Sequence, residues 1–536
     1  MKNTLKLVLF VVGLSALASL NSCTKQLNLK PKYGFNSEAV YKDPKNYINV
    51  LAKLYAGLAT TGNDGPAGSP DIASTDEGFS QYVRALYNLQ VLPTDEAVCG
   101  WNDVGIPDLC KSTWSAENTF IKMMYNRIFF QIALCNEFVR ETTDAKMDER
   151  GFSDADKAMI RNFRAEARFL RALSYSHAMD LFGNVPFVDE NDKVGAFMPE
   201  RITRTNLFSY VESELKAVEN ELLPSTSVPY GRASSSAAQF LLARIYLNAE
   251  VYTGTQRYQD CATYCTKVIT EGGFSLDNNY TDLFRTDNNT SPEIIFPVVF
   301  DALYTQSYGG TTFLTCASIG GSMVAAEYGV SGGWAGLRAT PEFVDKFSET
   351  KLVLNELLNE DTRYKFYTKG QSKKITNLST FEEGFALPKY QNVSSTGQVG
   401  SNNGTSGQSD TDFPMFRLAD VYLMYAECAE RGYGNTATGL GYLNELRRRA
   451  FGDLTHDISS YDLSYIIDER ARELHWECTR RSDLIRFDLF AGSTYLWAFK
   501  GGDDAAGTGI NPNYELYPIP NADLVLNTNL IQNPGY

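Results

Sequence analysis

The chain has 536 residues, of which 43% are hydrophobic and 21% charged, with a formal net charge of −15. That length supports a large core or several modules. An acidic surface disfavours nucleic acid and anionic polymers, so a neutral ligand is the expectation.

Lys2 and Lys6 precede an apolar run from Leu7 to Leu20, which ends in Leu20-Asn21-Ser22-Cys23. The run is shorter than the ~20 residues of a spanning helix and has the form of a secretory signal. Small residues ahead of a lone Cys are what a lipoprotein signal peptidase accepts, although Asn21 departs from the commonest pattern. Residues 1–22 are therefore expected to be removed and Cys23 to be lipidated. More than one acyl chain on Cys23 gives stable membrane anchoring. Removal takes away two Lys and no acid, so the mature charge is −17.

A polar tether, Thr24 to Asn36, leads into periodic helical patterns at Tyr47–Leu58 and Thr119–Arg140, separated by a Gly/Pro/Asp-rich stretch from Gly62 to Gly78. The clearest helix is Asp154–Phe182. Ile160, Phe163, Ala167, Leu170 and Ser174 make its apolar stripe, Arg161, Arg164, Arg168 and Arg171 a second line, and Gly183 and Pro186 its end. Thr203 is the expected N-cap of a helix through Leu222. Two stretches of Ala, Leu and Tyr, Ala237–Tyr252 and Arg417–Glu430, are each followed by a Gly-containing turn and a second helix, as in degenerate tetratricopeptide-like hairpins. Between them Gly272–Gly336 is rich in Asn, Asp, Gly and aromatics, with a short strand expected at Ile294–Phe300; Thr396–Thr411 reads as a polar loop. The expected fold is mostly α, a tetratricopeptide-like helical scaffold with long irregular insertions and a few short strands.

Enzyme signatures are missing. With three His in all, no H-E-x-x-H zinc motif occurs, nor a G-x-S-x-G elbow or a Walker A loop. The G-x-G-x-x-A string at Gly432–Ala437 lies between two helices and reads as a turn. Carboxylate pairs such as Asp76 with Glu77 and Asp95 with Glu96 keep a surface glycoside hydrolase as a minor alternative. Apart from Cys23, eight Cys lie mostly in apolar surroundings and read as small core residues. The stretch Asp277 to Asn289 could hold a structural calcium ion but reads first as a solvated turn; no cofactor is required.

Among the aromatics, Trp476 and Trp497 sit in helical patterns and read as core. Trp101, Tyr308 and Trp334 are each surrounded by Gly, which favours loops and uncovered ring faces. Flat rings beside Asn, Asp and Arg suit sugars, which present apolar C–H faces and hydroxyl edges.

Several pieces in fixed order carry a family resemblance: Ala165-Glu166-Ala167-Arg168-Phe169-Leu170-Arg171-Ala172, Leu181-Phe182-Gly183-Asn184-Val185-Pro186, the run Phe416 to Glu427, Glu469-Arg470-Ala471-Arg472-Glu473-Leu474, Arg480 to Phe487, Tyr517-Pro518-Ile519-Pro520 and the ending Gln532-Asn533-Pro534-Gly535-Tyr536. The chain resembles the SusD/RagB family of nutrient-binding lipoproteins over nearly its whole mature length. The resemblance implies a single domain over 23–536, with an N-terminal part over 23–230 and a C-terminal part over 231–536, and four tetratricopeptide-like pairs. It implies a non-catalytic lipoprotein on the outer-membrane surface that delivers oligosaccharide to a SusC-like TonB-dependent transporter. Within the family the chain is most similar to the starch-binding founder, so starch or another α-glucan is the favoured ligand. By that similarity Asp76, Arg84, Trp101, Tyr308 and Trp334 fall on starch-contacting positions. The loop after Trp101 is one residue shorter here, so the founder's amide role falls to Asn102 or Asp103, and Cys99 stands where the founder has a second Trp. The competing expectation is a structural lid of the transporter with little glycan affinity of its own.

Overall fold

The computed structural model describes residues 37–536 except 67, 74–77, 196, 348–349, 354–355 and 402–406. The signal segment 1–22, Cys23 and Asp76 with its neighbour Glu77 lie outside the described residues.

The first long helix, α1 (Tyr47–Ala59), buries Tyr47, Leu51, Leu54 and Leu58 at the three- and four-residue steps of one face. A short helix, α2 (Tyr82–Gln90), is buried along its length, and a strand, β1 (Ala97–Cys99), follows. Helix α3 (Thr119–Glu141) starts where the Asn118 side chain accepts from the amides of Phe120 and Ile121. Helix α4 (Asp154–Phe182) has the expected limits, with Ser153 as its cap and Gly183 at its end. Helix α5 (Arg204–Glu219) is capped by Thr203 as expected.

The two Ala/Leu/Tyr stretches form hairpins. Helix α6 (Ser235–Leu247) pairs with α7 (Tyr258–Glu271). After strand β2 (Ile294–Val298), helix α8 (Gly310–Ala317), strand β3 (Leu337–Ala339) and strand β4 (Phe413–Arg417), helix α9 (Leu418–Glu430) pairs with α10 (Thr436–Phe451). Helices α3 to α7 pack in sequence order as a continuous row, and α9 with α10 continues it against α7. The turn Gly432–Asn435 joins the two helices of the second hairpin, as read from the sequence.

The strands are short and pair in twos: β1 with β3 and β2 with β4, both antiparallel, the latter with irregular register. The β1–β3 pairing joins segments about 240 residues apart, and it positions the candidate site. No helix among the described residues is long and apolar enough to cross a membrane.

The Arg line of α4 ties elements together. Arg161 and Arg164 meet Asp144, Arg168 meets Glu214 and Glu221, and the buried Arg171 meets Glu190 and Glu214. A denser ionic network fills the C-terminal part, which includes helices α11 (Leu463–Leu474) and α12 (Arg480–Arg486). Buried Arg417 bonds Glu293, Glu473 and Glu477, Arg470 bonds Asp420 and Asp483, and Arg486 bonds Glu427 and Asp483. Burial alone would raise the Glu473 carboxyl, but Arg449, Arg417 and Arg363 offset it and hold that carboxyl well below the ordinary value. These Arg, Asp and Glu are the conspicuous residues of the C-terminal motifs. Their place in the fold is structural: each buried charge has at least one partner from another segment, and removing that partner would leave a charge buried alone.

Trp476 and Trp497 are buried, as read from the sequence. Trp114 is also buried, and its indole donates to the hydroxyl of Tyr536 at 2.8 Å. All eight described Cys are buried and free, with the Cys261 and Cys265 sulfurs 3.9 Å apart.

Candidate functional site

Helix α8 is the hub of the site. Tyr308 precedes it, Phe313 lies within it, and the Trp334 loop docks on its C-terminal end. There the amides of Trp334, Ala335 and Gly336 donate to the carbonyls of Cys316, Ile319 and Ala317 at 2.7, 2.9 and 2.8 Å. These bonds satisfy carbonyls that a helix end leaves free. The same loop runs straight into β3, and β1 runs into Gly100, whose amide donates to the Gly336 carbonyl at 2.9 Å. Strand pairing thus sets Trp101 beside Trp334.

The three rings meet. Trp334 is the middle one, with its ring centroid 6.3 Å from that of Trp101 at an interplanar angle of 47°, and 6.3 Å from that of Tyr308 at 63°. Each plane is turned from its neighbour, so the three rings do not make a flat row. All three are half-buried. The Trp101 indole N–H donates to the Trp334 carbonyl at 2.9 Å, which fixes the ring's orientation. Gly336 permits this approach, because a Cβ there would stand 2.5 Å from Trp101 Cε2. Gly310 has φ +53° and passes under Phe300, where a Cβ would meet the ring at 2.1 Å, so the turn between Tyr308 and α8 requires glycine.

Arg84 lies beneath the rings and is 4% exposed. Its guanidinium sits 4.7 Å from the Phe79 ring centroid, 4.6 Å from that of Phe313 and 5.6 Å from that of Trp101. Its Nη1 donates to the Tyr308 carbonyl at 3.0 Å. The sequence reading gave Arg84 a sugar hydroxyl. In the structure its depth leaves little surface for that contact, and it props the backbone that carries Tyr308. Asn102 and Asp103 are both exposed beside Trp101, and the Asn102 side-chain oxygen accepts from the Ser379 hydroxyl at 3.2 Å.

Sequence reasoning missed Phe313 and Gln81. Phe313 meets Trp101 edge to face at 5.9 Å. The Gln81 side-chain oxygen accepts from the amides of Arg84 and Gly310 at 2.7 and 2.8 Å, joining the start of α2 to the start of α8. Neither carries a sequence signal that separates it from ordinary core.

Other candidate chemistry lies elsewhere. Asp95 and Glu96, one of the carboxylate pairs, are buried and face no cleft: the Asp95 carboxylate accepts two hydrogen bonds from Arg480, both at 2.7 Å, and Glu96 accepts from the Trp476 amide at 2.9 Å. Burial raises the Glu96 carboxyl to about 8. Burial would also raise Asp95, but Arg480 more than offsets it and holds that carboxylate well below its ordinary range. Between Asp277 and Asn289, Asp277 and Asp287 accept from amides and a hydroxyl of the chain itself. Among the described residues no three His, Cys, Asp or Glu are placed to hold a metal ion. A cavity of about 650 Å³ opens between Phe347, Arg447, Tyr461, Tyr465 and Arg472, and no residue of the aromatic site lines it.

The sequence profile of the SusD family matches residues 292–536, and a profile described as "Starch-binding associating with outer membrane" matches residues 80–247. The starch-binding protein SusD of Bacteroides thetaiotaomicron is 35% identical, with 98% of each chain covered. SusD-like protein P25 of Formosa agariphila is 27% identical over 99% of this chain and all of its own. Among solved structures, surface glycan-binding protein A from Bacteroides thetaiotaomicron in complex with laminarihexaose superposes with a TM-score of 0.67 at 20% identity, covering 91% of this chain and 99% of that one. A SusD superfamily protein from the same organism gives 0.69 at 19% identity, over 92% and 99%. Two of these four are named for binding, one for starch and one for glycan. A relative more than 30% identical over almost the full length of both chains makes this chain a member of the SusD family.

Proposed function

We propose that this chain is a glycan-binding lipoprotein of the outer-membrane surface. It captures starch or another α-glucan on Trp101, Tyr308 and Trp334 and passes it to a TonB-dependent transporter. The observation that carries the reading is the convergence of three half-exposed rings from three separate segments, turned by 47° and 63° from one to the next. A set of rings that are not coplanar suits a curved chain such as an α-glucan helix better than a straight β-linked chain, which a flat row would fit. Asn102 and Asp103 stand at the open edge as hydroxyl partners, and Asp76 is assigned to the same role by its motif. Anchoring falls to Cys23. The match to a relative named for starch supports the ligand class.

Affinity electrophoresis tests this, using the mature protein without Cys23 in gels containing starch, dextran, a β-glucan and a fructan. Retardation by starch alone is the expected result. Retardation by another glycan moves the specificity and keeps the binding role. No retardation in any gel overturns capture by the isolated chain and leaves a lid for the transporter.

A further inference from the structure

Four residues before Tyr308 the chain makes a tight turn, Asp301–Thr305, with two large apolar side chains at its tip. Leu303 is 51% exposed and Tyr304 is 85% exposed. A tyrosine so uncovered gains nothing from the fold that holds it, yet the turn beneath it is closely built. The Asp301 carboxylate accepts from the amides of Leu303 and Tyr304 at 2.8 and 2.9 Å. The Asp301 amide donates to the Thr305 hydroxyl at 2.6 Å, and the Thr305 amide returns to the Asp301 carbonyl at 3.0 Å. The turn is tied to the scaffold from both sides, by Asp410 accepting from the Ala302 amide at 2.7 Å and Asp412 accepting from the Phe300 amide at 2.8 Å. The Gln306 side chain donates back to the Ala302 carbonyl at 2.7 Å, and the Ser307 amide donates to Gln408 at 3.0 Å. The connection from the turn to Tyr308 is therefore held as firmly as the turn.

Four residues of chain span at most ~14 Å, so the Tyr304 Cα stands within that distance of the Tyr308 Cα. Tyrosine offers a flat amphipathic face with few rotatable bonds, and a ring set on an anchored turn loses little entropy when a ligand covers it. We propose that Tyr304 is a distal stacking subsite for the same glycan, which engages chains long enough to extend past Tyr308. This rests on the glycan-binding reading above. It assigns the residue a role in selecting chain length, separate from the capture made by Trp101, Tyr308 and Trp334.

The test is titration calorimetry of the mature wild type, Tyr304→Ala and Tyr304→Phe with maltotriose, maltoheptaose, laminaritriose and laminariheptaose. In Tyr304→Ala the seven-residue glucan that binds wild type should lose roughly five- to tenfold in affinity, the low end of what one stacked ring contributes. The corresponding trisaccharide should change less than twofold, Tyr304→Phe should behave as wild type, and the melting temperature should stay the same. Equal affinity of wild type and Tyr304→Ala for the long glucan overturns the subsite. So does an equal loss for short and long glucans, which would place Tyr304 inside the primary site. Failure of wild type to bind any of the four overturns the α-glucan reading on which the subsite rests, and the subsite with it.

Discussion

Arg84 donates from below to the carbonyl of Tyr308, a residue 224 positions later in the chain, at 3.0 Å. The bond makes the place of one ring depend on a buried guanidinium. Arg84→Lys keeps the charge and loses the flat group packed between Phe79 and Phe313. It should lower stability by roughly 2–3 kcal/mol, the worth of a buried hydrogen bond to a charged group. A thermal melt checks this, and weaker starch retardation with the fold intact would show Tyr308 displaced.

Trp101 contributes both a ring face and an N–H bond to the site. Trp101→Ala should weaken glycan binding by roughly 1–3 kcal/mol, by analogy with aromatic platforms for nucleic-acid bases. Trp101→Phe keeps an apolar face and loses the bond to the Trp334 carbonyl, so its loss should be smaller. Calorimetry with maltoheptaose separates the two, and equal losses would refute a stacking role for the ring.

Gly336 gives a more selective perturbation. Its Cβ position lies 2.5 Å from the Trp101 ring, so Gly336→Ala must push that ring out of its hydrogen bond. The expected outcome is weakened binding together with a changed near-ultraviolet tryptophan signal, while far-ultraviolet helicity stays the same.

The helical row was legible in the sequence because each helix leaves a periodic stripe and a capping residue. The limits of the Asp154–Phe182 helix and the Thr203 cap follow from those marks. That the three rings lie on loops and keep part of their faces uncovered was legible from their glycine-rich surroundings. Their meeting was not, because it depends on three strand residues, Ala97 to Cys99, finding Leu337 to Ala339. A three-residue strand has no readable period. The depth of Arg84 was not legible for a related reason: a motif gives the residue type, whereas depth depends on the aromatics that close over it. The residues of the ionic network stand out in the motifs, but their pairing was not legible, since Asp95 and Arg480 are 385 positions apart and meet only in the fold.

Asp95 and Arg480 provide a stability test. Arg480→Met leaves the fully buried Asp95 without its main partner and should cost roughly 3–5 kcal/mol, whereas adding Asp95→Asn should restore part of the loss. Urea unfolding of the single and double variants measures both. Two equal, additive losses would mean that the pair is not coupled.

Glu96 gives a pH dependence of definite sign. Its folded-state value of about 8 lies above the ordinary 4.5, so the folded protein keeps a proton that the unfolded chain has released. Its contribution to stability is full below about 4.5 and is lost as pH rises toward 8, by up to about 1.4 kcal/mol per unit. Urea midpoints at pH 5, 6, 7 and 8 should fall in wild type relative to Glu96→Gln. Parallel curves would put the charge of Glu96 elsewhere.

The bond between Asp95 and Arg480 also has a meaning in time. Ribosomes make the chain from its N-terminus, so the strand that leads to Trp101 exists long before the arginine that neutralises the aspartate just ahead of it. Until residue 480 emerges, that segment carries an unpaired acid where the mature fold has dry core, and β1 lacks β3 for most of the same interval. Long-range closure of this kind slows folding and prolongs the exposure of apolar surface. The Asp95–Arg480 pair therefore cannot close until about nine-tenths of the chain has been made, so the segment that leads to Trp101 reaches its final packing late.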